Sequence, residues 1–225
     1  MTVTDVNVVK SAIFERPDDA NKGTLGSLLC VCGSYGMAGA AVMSAKGALR
    51  TGIGLAKCAL PRSIYPVVAQ TILESVYYPL SENADGRISK VNVPFLVSES
   101  CKSSATLVGC GLGVCDDTLR IVFSLIENST TPLVLDADAL NCVAKQPEIL
   151  LRKKVPIIIT PHPGEMSRLT GLATPLVNAE RERVALDFAQ KYGVVTVLKG
   201  AGTVIASPNG KVLVNPTGNS GMATG

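Results

Sequence analysis

Ser27-Leu-Leu-Cys-Val-Cys-Gly33 is the stretch that decides the fold, because it is a short, unbroken apolar run that ends in glycine. Such a run is typical of a strand that is buried on both faces, as in a parallel sheet covered by helices. A helical pattern rich in alanine and leucine follows it over residues 37–50. Together the two segments predict the first strand and helix of a βαβ unit.

The same alternation of strand patterns and helical patterns continues along the chain. Strand candidates occupy residues 54–60, 104–109, 131–136, 155–160 and 194–198. Helical patterns occupy residues 61–68, 116–127, 138–151 and 178–191. This alternation predicts an α/β fold with a mostly parallel central sheet flanked by helices.

The tail of the chain carries a different pattern. Strand candidates at residues 203–206 and 211–214 flank the segment Ser207-Pro-Asn-Gly210. An Asn-Gly turn between two apolar runs is typical of a β-hairpin. We therefore expect a C-terminal antiparallel hairpin at one edge of the parallel sheet.

The composition indicates one folded domain. A chain of 225 residues with 47% hydrophobic and 17% charged residues can bury a large core. It has no internal repeat or linker, so we expect residues 1–225 to form a single domain. The net charge of +3 is spread along the chain, which argues against nucleic acid as a partner. No apolar run is long enough to span a bilayer and no signal peptide is recognisable, so we expect no membrane partner and a cytoplasmic location.

Seven cysteines and one histidine constrain the chemistry. The cysteines contain no CxxC pair, and without a secretory context we expect them to be free thiols. A zinc site is not expected in a chain with a single histidine. We name no metal-ligating residue.

Two glycine-rich turns follow strand candidates. Gly33-Ser-Tyr-Gly-Met-Ala-Gly39 opens a helix, but it lacks the Lys-Ser/Thr of a P-loop and the spacing of a Rossmann fingerprint. Gly109-Cys-Gly-Leu-Gly113 also stands at the end of a strand candidate. In both turns the glycines serve either close packing of strand on helix or close approach of a ligand to the backbone, and the two interpretations remain open.

Three further segments carry polar side chains beyond strand ends. In Asp136-Ala-Asp138 we expect Asp138 to cap a helix, whereas Asp136 can reach a metal-bound or hydroxylated ligand. His162 lies between two prolines, and this rigid setting favours a ligand contact over core packing. Glu165 is either an acid in the first turn of a helix or a partner for magnesium or a hydroxyl group.

The last two segments predict a phosphate site. Lys199-Gly-Ala-Gly-Thr203 combines a lysine, flexible glycines and a hydroxyl group at a strand end. Asn215-Pro-Thr-Gly-Asn-Ser-Gly-Met-Ala-Thr-Gly225 can expose successive backbone N–H groups to an anion. Both follow strands at the same end of the sheet, so we expect them to converge.

Taken together, these segments resemble the ADP/ATP-dependent NAD(P)H-hydrate dehydratases, and the resemblance covers nearly the whole chain from Lys22. Six segments carry it in the same order: residues 22–34 with Gly39-Ala-Ala41, Ala48-Leu-Arg-Thr-Gly-Ile-Gly-Leu55, Leu135-Asp-Ala-Asp-Ala-Leu-Asn141, Thr160-Pro-His-Pro-Gly-Glu165, Leu198-Lys-Gly-Ala-Gly-Thr203 and residues 215–225. The family has a ribokinase-like fold, in agreement with the alternation described above. The resemblance therefore implies a lyase that repairs hydrated NADH and NADPH.

The resemblance also implies roles for individual residues. The nucleotide, ADP or ATP with Mg²⁺, would be bound by Lys199, Gly200, Ala201, Gly202, Thr203 and Gly225. Ala41, Gly113 and His162 would line the pocket for the hydrated dinucleotide. The segment Thr160-Pro-His-Pro-Gly-Glu165 looks like the bacterial branch that uses ADP. Relatives often form homo-oligomers, of which a tetramer is one candidate.

The sequence departs from the family at its end. The family's loop continues into Gly-(Ser/Thr)-Gly-Asp and a helix, and that aspartate is the general base. Because this sequence stops at Gly225, the expected aspartate lies beyond it and the catalytic residue is unknown. If the protein ends there, we expect no dehydratase activity and an exposed apolar surface where C-terminal helices should pack. The alternatives are a ribokinase-like small-molecule kinase and a catalytically inactive nucleotide-binding protein.

Overall fold

A computed structural model describes residues 2–3, 7, 9–10 and 17–222 of the chain. Its strands are β1 (Thr2–Val3), β2 (Ser27–Val31), β3 (Leu55–Pro61), β4 (Val76–Leu80), β5 (Ala105–Val108), β6 (Leu133–Leu135), β7 (Ile157–Ile159), β8 (Val195–Leu198), β9 (Thr203–Ala206) and β10 (Val212–Asn215). They form one sheet in the order β1-β10-β9-β8-β7-β6-β5-β2-β3-β4. Strands β2 to β8 are parallel to one another, whereas β9 is antiparallel to both β8 and β10.

The connections between strands are mostly helical. The helices are α1 (Ala38–Thr51), α2 (Tyr65–Thr71), α3 (Val93–Cys101), α4 (Asp116–Asn128), α5 (Asp138–Val143), α6 (Pro163–Thr170), α7 (Thr174–Ala179) and α8 (Arg181–Tyr192). Three short 3₁₀ turns cover Lys90–Asn92, Pro147–Arg152 and Ser220–Met222. Among the described residues, no helix is both long and apolar enough to cross a membrane.

The predicted fold class is confirmed: a mostly parallel sheet flanked by helices, with a C-terminal antiparallel hairpin. Two predicted helices are each divided in the structure. The pattern at residues 138–151 breaks after Val143, because Pro147 starts a separate 3₁₀ turn and a proline has no N–H for helix continuation. The pattern at residues 178–191 divides at Glu180, which separates α7 from α8.

One face of the sheet is covered along most of its width by α3 to α8. Apolar side chains of β2, β5, β6, β7, β8 and β9 that point to this face are buried in one continuous core. Leu133 and Leu135 of β6, for example, are completely inaccessible to solvent. Burial of this aliphatic surface is the main stabilising contribution to the fold.

The opposite face is covered only in part. There α1 and α2 pack on β2 and β3, and bury a smaller cluster that includes Cys30, Cys32 and Cys58. The corresponding positions further along the sheet are Val134, Ile158 and Val195, which the strand register places in one row beyond Leu107. They are not buried, and Ile158 is 36% exposed. The sheet therefore presents apolar surface on this face of β6 to β8.

Candidate functional site

Parallel strands β5, β6, β7 and β8 end at the same edge of the sheet, and the predicted polar segments follow them there. In open α/β sheets ligands bind at this carboxyl edge. Asp136 follows β6, Thr160 follows β7, and Lys199 follows β8. The backbone N–H of Lys199 donates to the carbonyl of Pro161 at 2.8 Å, which joins two of these segments directly.

An ion pair between Lys199 and Asp136 lies at the centre of this edge. The ammonium Nζ of Lys199 is 2.7 Å from Oδ1 of Asp136, and the hydroxyl of Thr160 donates to the same oxygen at 2.7 Å. Burial alone would raise the pKa of the Asp136 carboxyl, but the hydrogen bonds from Lys199 and Thr160 outweigh it and hold that pKa below its ordinary value. Asp136 is therefore ionised at neutral pH and fixes the position of the lysine charge.

Glu165 brings a second carboxylate to the same lysine. Its Oε2 is 3.9 Å from Nζ of Lys199, and its side chain is only 5% exposed. The same oxygen accepts a hydrogen bond from the backbone N–H of His162 at 2.8 Å. Glu165 therefore connects the start of helix α6, which follows β7, to Lys199. An acidic residue that only stabilised the first turn of the helix would not make the contact with Lys199.

His162 caps helix α6. Its Nδ1 accepts hydrogen bonds from the backbone N–H groups of Gly164 at 3.0 Å and Glu165 at 3.4 Å, so with Glu165 it forms a reciprocal capping box. The imidazole side chain is nevertheless 50% exposed. His162 therefore has a structural role that the sequence did not predict, and its exposed ring remains accessible to a ligand beside Lys199.

The Lys199–Thr203 loop, which covers residues 199–203, presents unpaired backbone donors. Within the described part of the chain, the N–H groups of Gly200, Ala201 and Gly202 have no intramolecular acceptor. The hydroxyl of Thr203 donates to the carbonyl of Gly200 at 3.0 Å. Successive free N–H groups beside a lysine form a concave donor surface that suits a phosphate group.

The turn of residues 109–113 packs closely on the segment after β6. Gly109 has φ +123°, and a Cβ atom at this position would lie 1.9 Å from the carbonyl oxygen of Asp136. Gly113 donates its N–H to Oδ2 of Asp138 at 2.8 Å. The turn therefore serves close packing, while Gly113 remains at the same sheet edge as Asp136.

The structure corrects the prediction that Asp138 is a helix cap. The N-cap residue of α5 is Ala137, which has φ +50° and makes no side-chain capping bond. Asp138 is the first residue of the helix, and its carboxylate holds Gly113 instead. The reason is that the N–H of Asp138 donates to the carbonyl of Gly109, which draws the chain toward the glycine turn.

Ala41 lies in the first turns of α1 and is only 2% exposed. Its methyl group faces Gly33, where an added Cβ would approach it to 3.1 Å. Ser34, in the same turn, donates its hydroxyl to the carbonyl of Gly111 at 2.8 Å. The two glycine-rich turns are thus joined, and a ligand that contacts Ala41 would do so through the backbone.

Gly225 lies outside the described residues. The preceding segment is described as far as Met222, and Ser220–Met222 forms a 3₁₀ turn. In this segment the side chain of Asn215 accepts hydrogen bonds from the backbone N–H and the hydroxyl of Thr217.

Two contacts of the site were not predicted from the sequence. The thiol of Cys110 donates to Oδ2 of Asp136 at 3.5 Å, and the guanidinium of Arg181 donates to the carbonyl of Leu198 at 2.9 Å. Cys110 lies within the turn of residues 109–113, where the recognisable sequence pattern consists of the glycines and not of the thiol. Arg181 opens a helix far from the edge in sequence, and no local pattern indicates where its side chain points.

No group of three or more histidine, cysteine, aspartate or glutamate side chains converges among the described residues. Asp136 and Glu165 are both directed at Lys199. These described side chains therefore do not form a magnesium cage. All seven cysteines are free thiols, as predicted.

Comparison with known proteins agrees with this arrangement. A ribokinase-like superfamily protein from Enterococcus faecalis superposes with a TM-score of 0.85 at 21% identity, covering 100% of this chain and 74% of that one. The structure of the ADP/ATP-dependent NAD(P)H-hydrate dehydratase from Bacillus subtilis, co-crystallised with ATP and Mg²⁺, superposes with a TM-score of 0.83 at 30% identity, covering 100% and 76%. The fold is therefore that of the ribokinase-like α/β proteins.

The sequence comparisons are more specific. The ADP-dependent (S)-NAD(P)H-hydrate dehydratase of Neisseria meningitidis is 33% identical over 93% of this chain and 67% of its own length. The bifunctional NAD(P)H-hydrate repair enzyme of Thermofilum pendens is 40% identical over 93% of this chain, which spans only 40% of that relative. A family model described as NAD(P)H-hydrate dehydratase matches residues 28–225. The chain belongs to the NAD(P)H-hydrate dehydratase family.

Proposed function

We propose that the chain acts as an ADP-dependent (S)-NAD(P)H-hydrate dehydratase, a lyase that restores hydrated NADH and NADPH. The proposal rests mainly on the position of the Lys199 ammonium, which Asp136 holds at the sheet edge at 2.7 Å. Beside it are three backbone N–H groups that have no acceptor among the residues that the structure describes. A fixed cation next to convergent backbone donors suits the terminal phosphate of a nucleotide. The name of the relative from Neisseria meningitidis supports ADP as the phosphate source.

In the proposed mechanism the chain binds and orients two substrates. Lys199 and the N–H groups of Gly200, Ala201 and Gly202 hold the phosphates of ADP, with Thr203 and Gly225 also contacting the nucleotide. Ala41, Gly113 and His162 line the side of the edge where the hydrated nicotinamide lies. Gly113 and Lys199 are linked through the segment Asp136–Asp138, so the two substrates would meet across one strand end.

The reaction transfers the terminal phosphoryl group of ADP to the C6 hydroxyl of the hydrated ring, which gives AMP and a phosphate ester. The hydroxyl loses its proton in this transfer. Loss of inorganic phosphate from C6 together with a proton from C5 then restores the double bond of the reduced nicotinamide. Donors that are already in place stabilise the charge that develops on the transferred group. Mg²⁺ would supply further charge neutralisation on the phosphates when bound, held mainly by phosphate oxygens and water. We assign no general base to residues 1–225.

Further properties belong to the same proposal. Residues 1–225 are proposed to be part of a ribokinase-like domain, which functions in the cytoplasm as a homo-oligomer. The mixed arrangement of charges and the net charge of +3 support a small-molecule substrate over nucleic acid.

The test uses the full chain with hydrated NADH, ADP and Mg²⁺. We expect the absorbance of reduced nicotinamide to return, with AMP and inorganic phosphate formed in equal amounts. Accumulation of a phosphorylated dinucleotide without that recovery would instead support a small-molecule kinase. Binding of ADP without either product would support a catalytically inactive nucleotide-binding protein.

A further inference from the structure

Arg181, the first residue of α8, reaches underneath the Lys199–Thr203 loop. Its Nη2 is 2.9 Å from the carbonyl oxygen of Leu198, 3.2 Å from that of Lys199 and 3.5 Å from that of Gly202. One guanidinium group therefore gathers three backbone carbonyls that lie on both sides of the loop's tip.

The loop has the backbone conformation that makes room for this group. Gly200 has φ +145°, a region that residues with side chains rarely adopt, and a Cβ atom there would lie 2.6 Å from Nη1 of Arg181. The glycine thus allows the guanidinium to lie directly against the main chain.

The contacts divide the loop into an acceptor side and a donor side. The carbonyls of Leu198, Lys199 and Gly202 are engaged by Arg181, and that of Gly200 is engaged by the Thr203 hydroxyl. In contrast, the N–H groups of residues 200–202 have no intramolecular acceptor in the described part of the chain. With the carbonyls occupied in this way, those N–H groups are left available to an anion.

Packing alone does not account for this arginine. Burial lowers the pKa of its guanidinium, and its Nε–H is buried without a hydrogen-bond partner among the described residues. An unsatisfied buried donor is unfavourable for stability. Residues that break such a rule in an otherwise consistent fold are often found at functional sites.

We propose that Arg181 is a positioning residue for nucleoside diphosphate binding, which acts by holding the carbonyls of the Lys199–Thr203 loop away from the phosphates. The inference rests on the proposed function, because it assumes that the phosphates of ADP bind to this loop. Arg181 itself does not contact the nucleotide in this scheme. The rigid guanidinium is pre-organised for these contacts, whereas a lysine ammonium is a compact charge on a flexible stem and would hold the carbonyls less firmly.

The first test measures the loop without any ligand. In the full chain, the change Arg181→Met is expected to speed hydrogen exchange of the peptide that contains residues 199–203, with little change in the peptides of β6 and β7. The matched control is Arg183→Met, two residues along the same helix, where the side chain is 58% exposed and pairs with Asp187. Equal exchange of the loop in wild type and Arg181→Met would overturn the inference.

The second test measures ADP binding by calorimetry. We expect Arg181→Met to weaken ADP binding about tenfold or more and Arg181→Lys to weaken it to a smaller extent. The KM for hydrated NADH should stay within about twofold, and Arg183→Met should behave as wild type. Guanidinium ion at a non-denaturing concentration should restore part of the ADP affinity of Arg181→Ala, which a general loss of stability would not allow. Unchanged ADP affinity in both Arg181 variants would overturn the inference.

The two proposals fail in different ways. If the wild-type chain bound no ADP, the proposed function would fail, while the exchange measurement would still decide whether Arg181 orders the loop. If ADP bound normally and the loop exchanged equally in every variant, only the role of Arg181 would be wrong.

Discussion

Lys199 is the residue on which phosphate binding depends most directly. The change Lys199→Met removes the cation held by Asp136, and a hydrogen bond to a charged group contributes about 1.5–3 kcal/mol. We therefore expect ADP to bind about 10- to 100-fold more weakly, as measured by calorimetry. Lys211→Met, which removes an exposed lysine from the C-terminal hairpin, is the control and should leave the affinity unchanged.

Asp136 makes the stability of the chain depend on pH in a defined direction. Because the pKa of its carboxyl is lower in the folded chain than in the unfolded one, the ion pair stabilises the fold above about pH 4. This contribution is lost as the pH falls through the folded-state pKa. Asp136→Asn should therefore be less stable than wild type at neutral pH, and the difference should narrow in urea titrations at progressively lower pH. A difference in the free energy of unfolding that stayed constant at every pH would contradict this prediction. The control is Asp19→Asn, which changes an exposed carboxylate and should show no such pH dependence.

His162 allows a structural role to be separated from a ligand contact. His162→Ala removes the acceptor of two N–H groups at the start of α6, which should reduce the free energy of unfolding by about 0.5–2 kcal/mol. His162→Asn keeps a capping acceptor and should remain close to wild type in stability. If the imidazole contacts the hydrated dinucleotide, both variants should show a raised KM for it. A normal KM in the asparagine variant would limit His162 to capping.

At the scale of elements, the strands were predicted more accurately than the helices. Buried parallel strands such as β2 and β7 are short apolar runs, so their sequence alone identifies them. Strands β1 and β4 and helix α3 were not predicted. The segment Val76–Leu80 of β4 contains two tyrosines and a proline and is only partly buried at the sheet edge, so it lacks the pattern of a buried strand. The break between α7 and α8 was also missed, because the helical pattern of apolar residues continues across Glu180.

The turn after β5 provides a test at the same scale. Gly109→Ala should reduce the free energy of unfolding by at least about 3 kcal/mol, because the new Cβ would collide with the Asp136 carbonyl at a strained φ. Gly36→Ala is the matched control: its φ is +82°, but no atom lies within 4 Å of the new Cβ. The control measures the cost of the strained backbone conformation alone. We expect it to reduce the free energy of unfolding by about 1–2 kcal/mol, as measured by chemical denaturation. Equal effects of the two changes would show that the contact with Asp136 is unimportant.

For the molecule as a whole, the partly covered face of the sheet has a measurable consequence. The chain of residues 1–225 is expected to bind the apolar dye ANS through the exposed side chains of β6 to β8. Ile158→Lys places a charge at the centre of this surface and should lower dye fluorescence markedly. Leu73→Lys changes a side chain that is 84% exposed elsewhere and should have little effect. Fluorescence unaffected by Ile158→Lys would place the dye elsewhere.

The candidate site was predicted in outline but not in its contacts. Residues that follow parallel strands meet at one edge by topology, which is why Asp136, His162 and Lys199 could be grouped from the sequence. The ion pair itself, the capping role of His162 and the position of Arg181 depend on side-chain directions across distant segments. No local pattern encodes those directions, since they arise only when the sheet is assembled.

The pairing of β1 with β10 joins two strands that are far apart in the sequence, with Thr2 opposite Leu213. On the ribosome, Thr2 and Val3 are synthesised well before their partner strand β10. This border of the sheet can therefore close only after Asn215 has been synthesised. A bulky fusion at the N-terminus would lie beside that border and hinder its closure, whereas the strands at the sheet centre would already be in place.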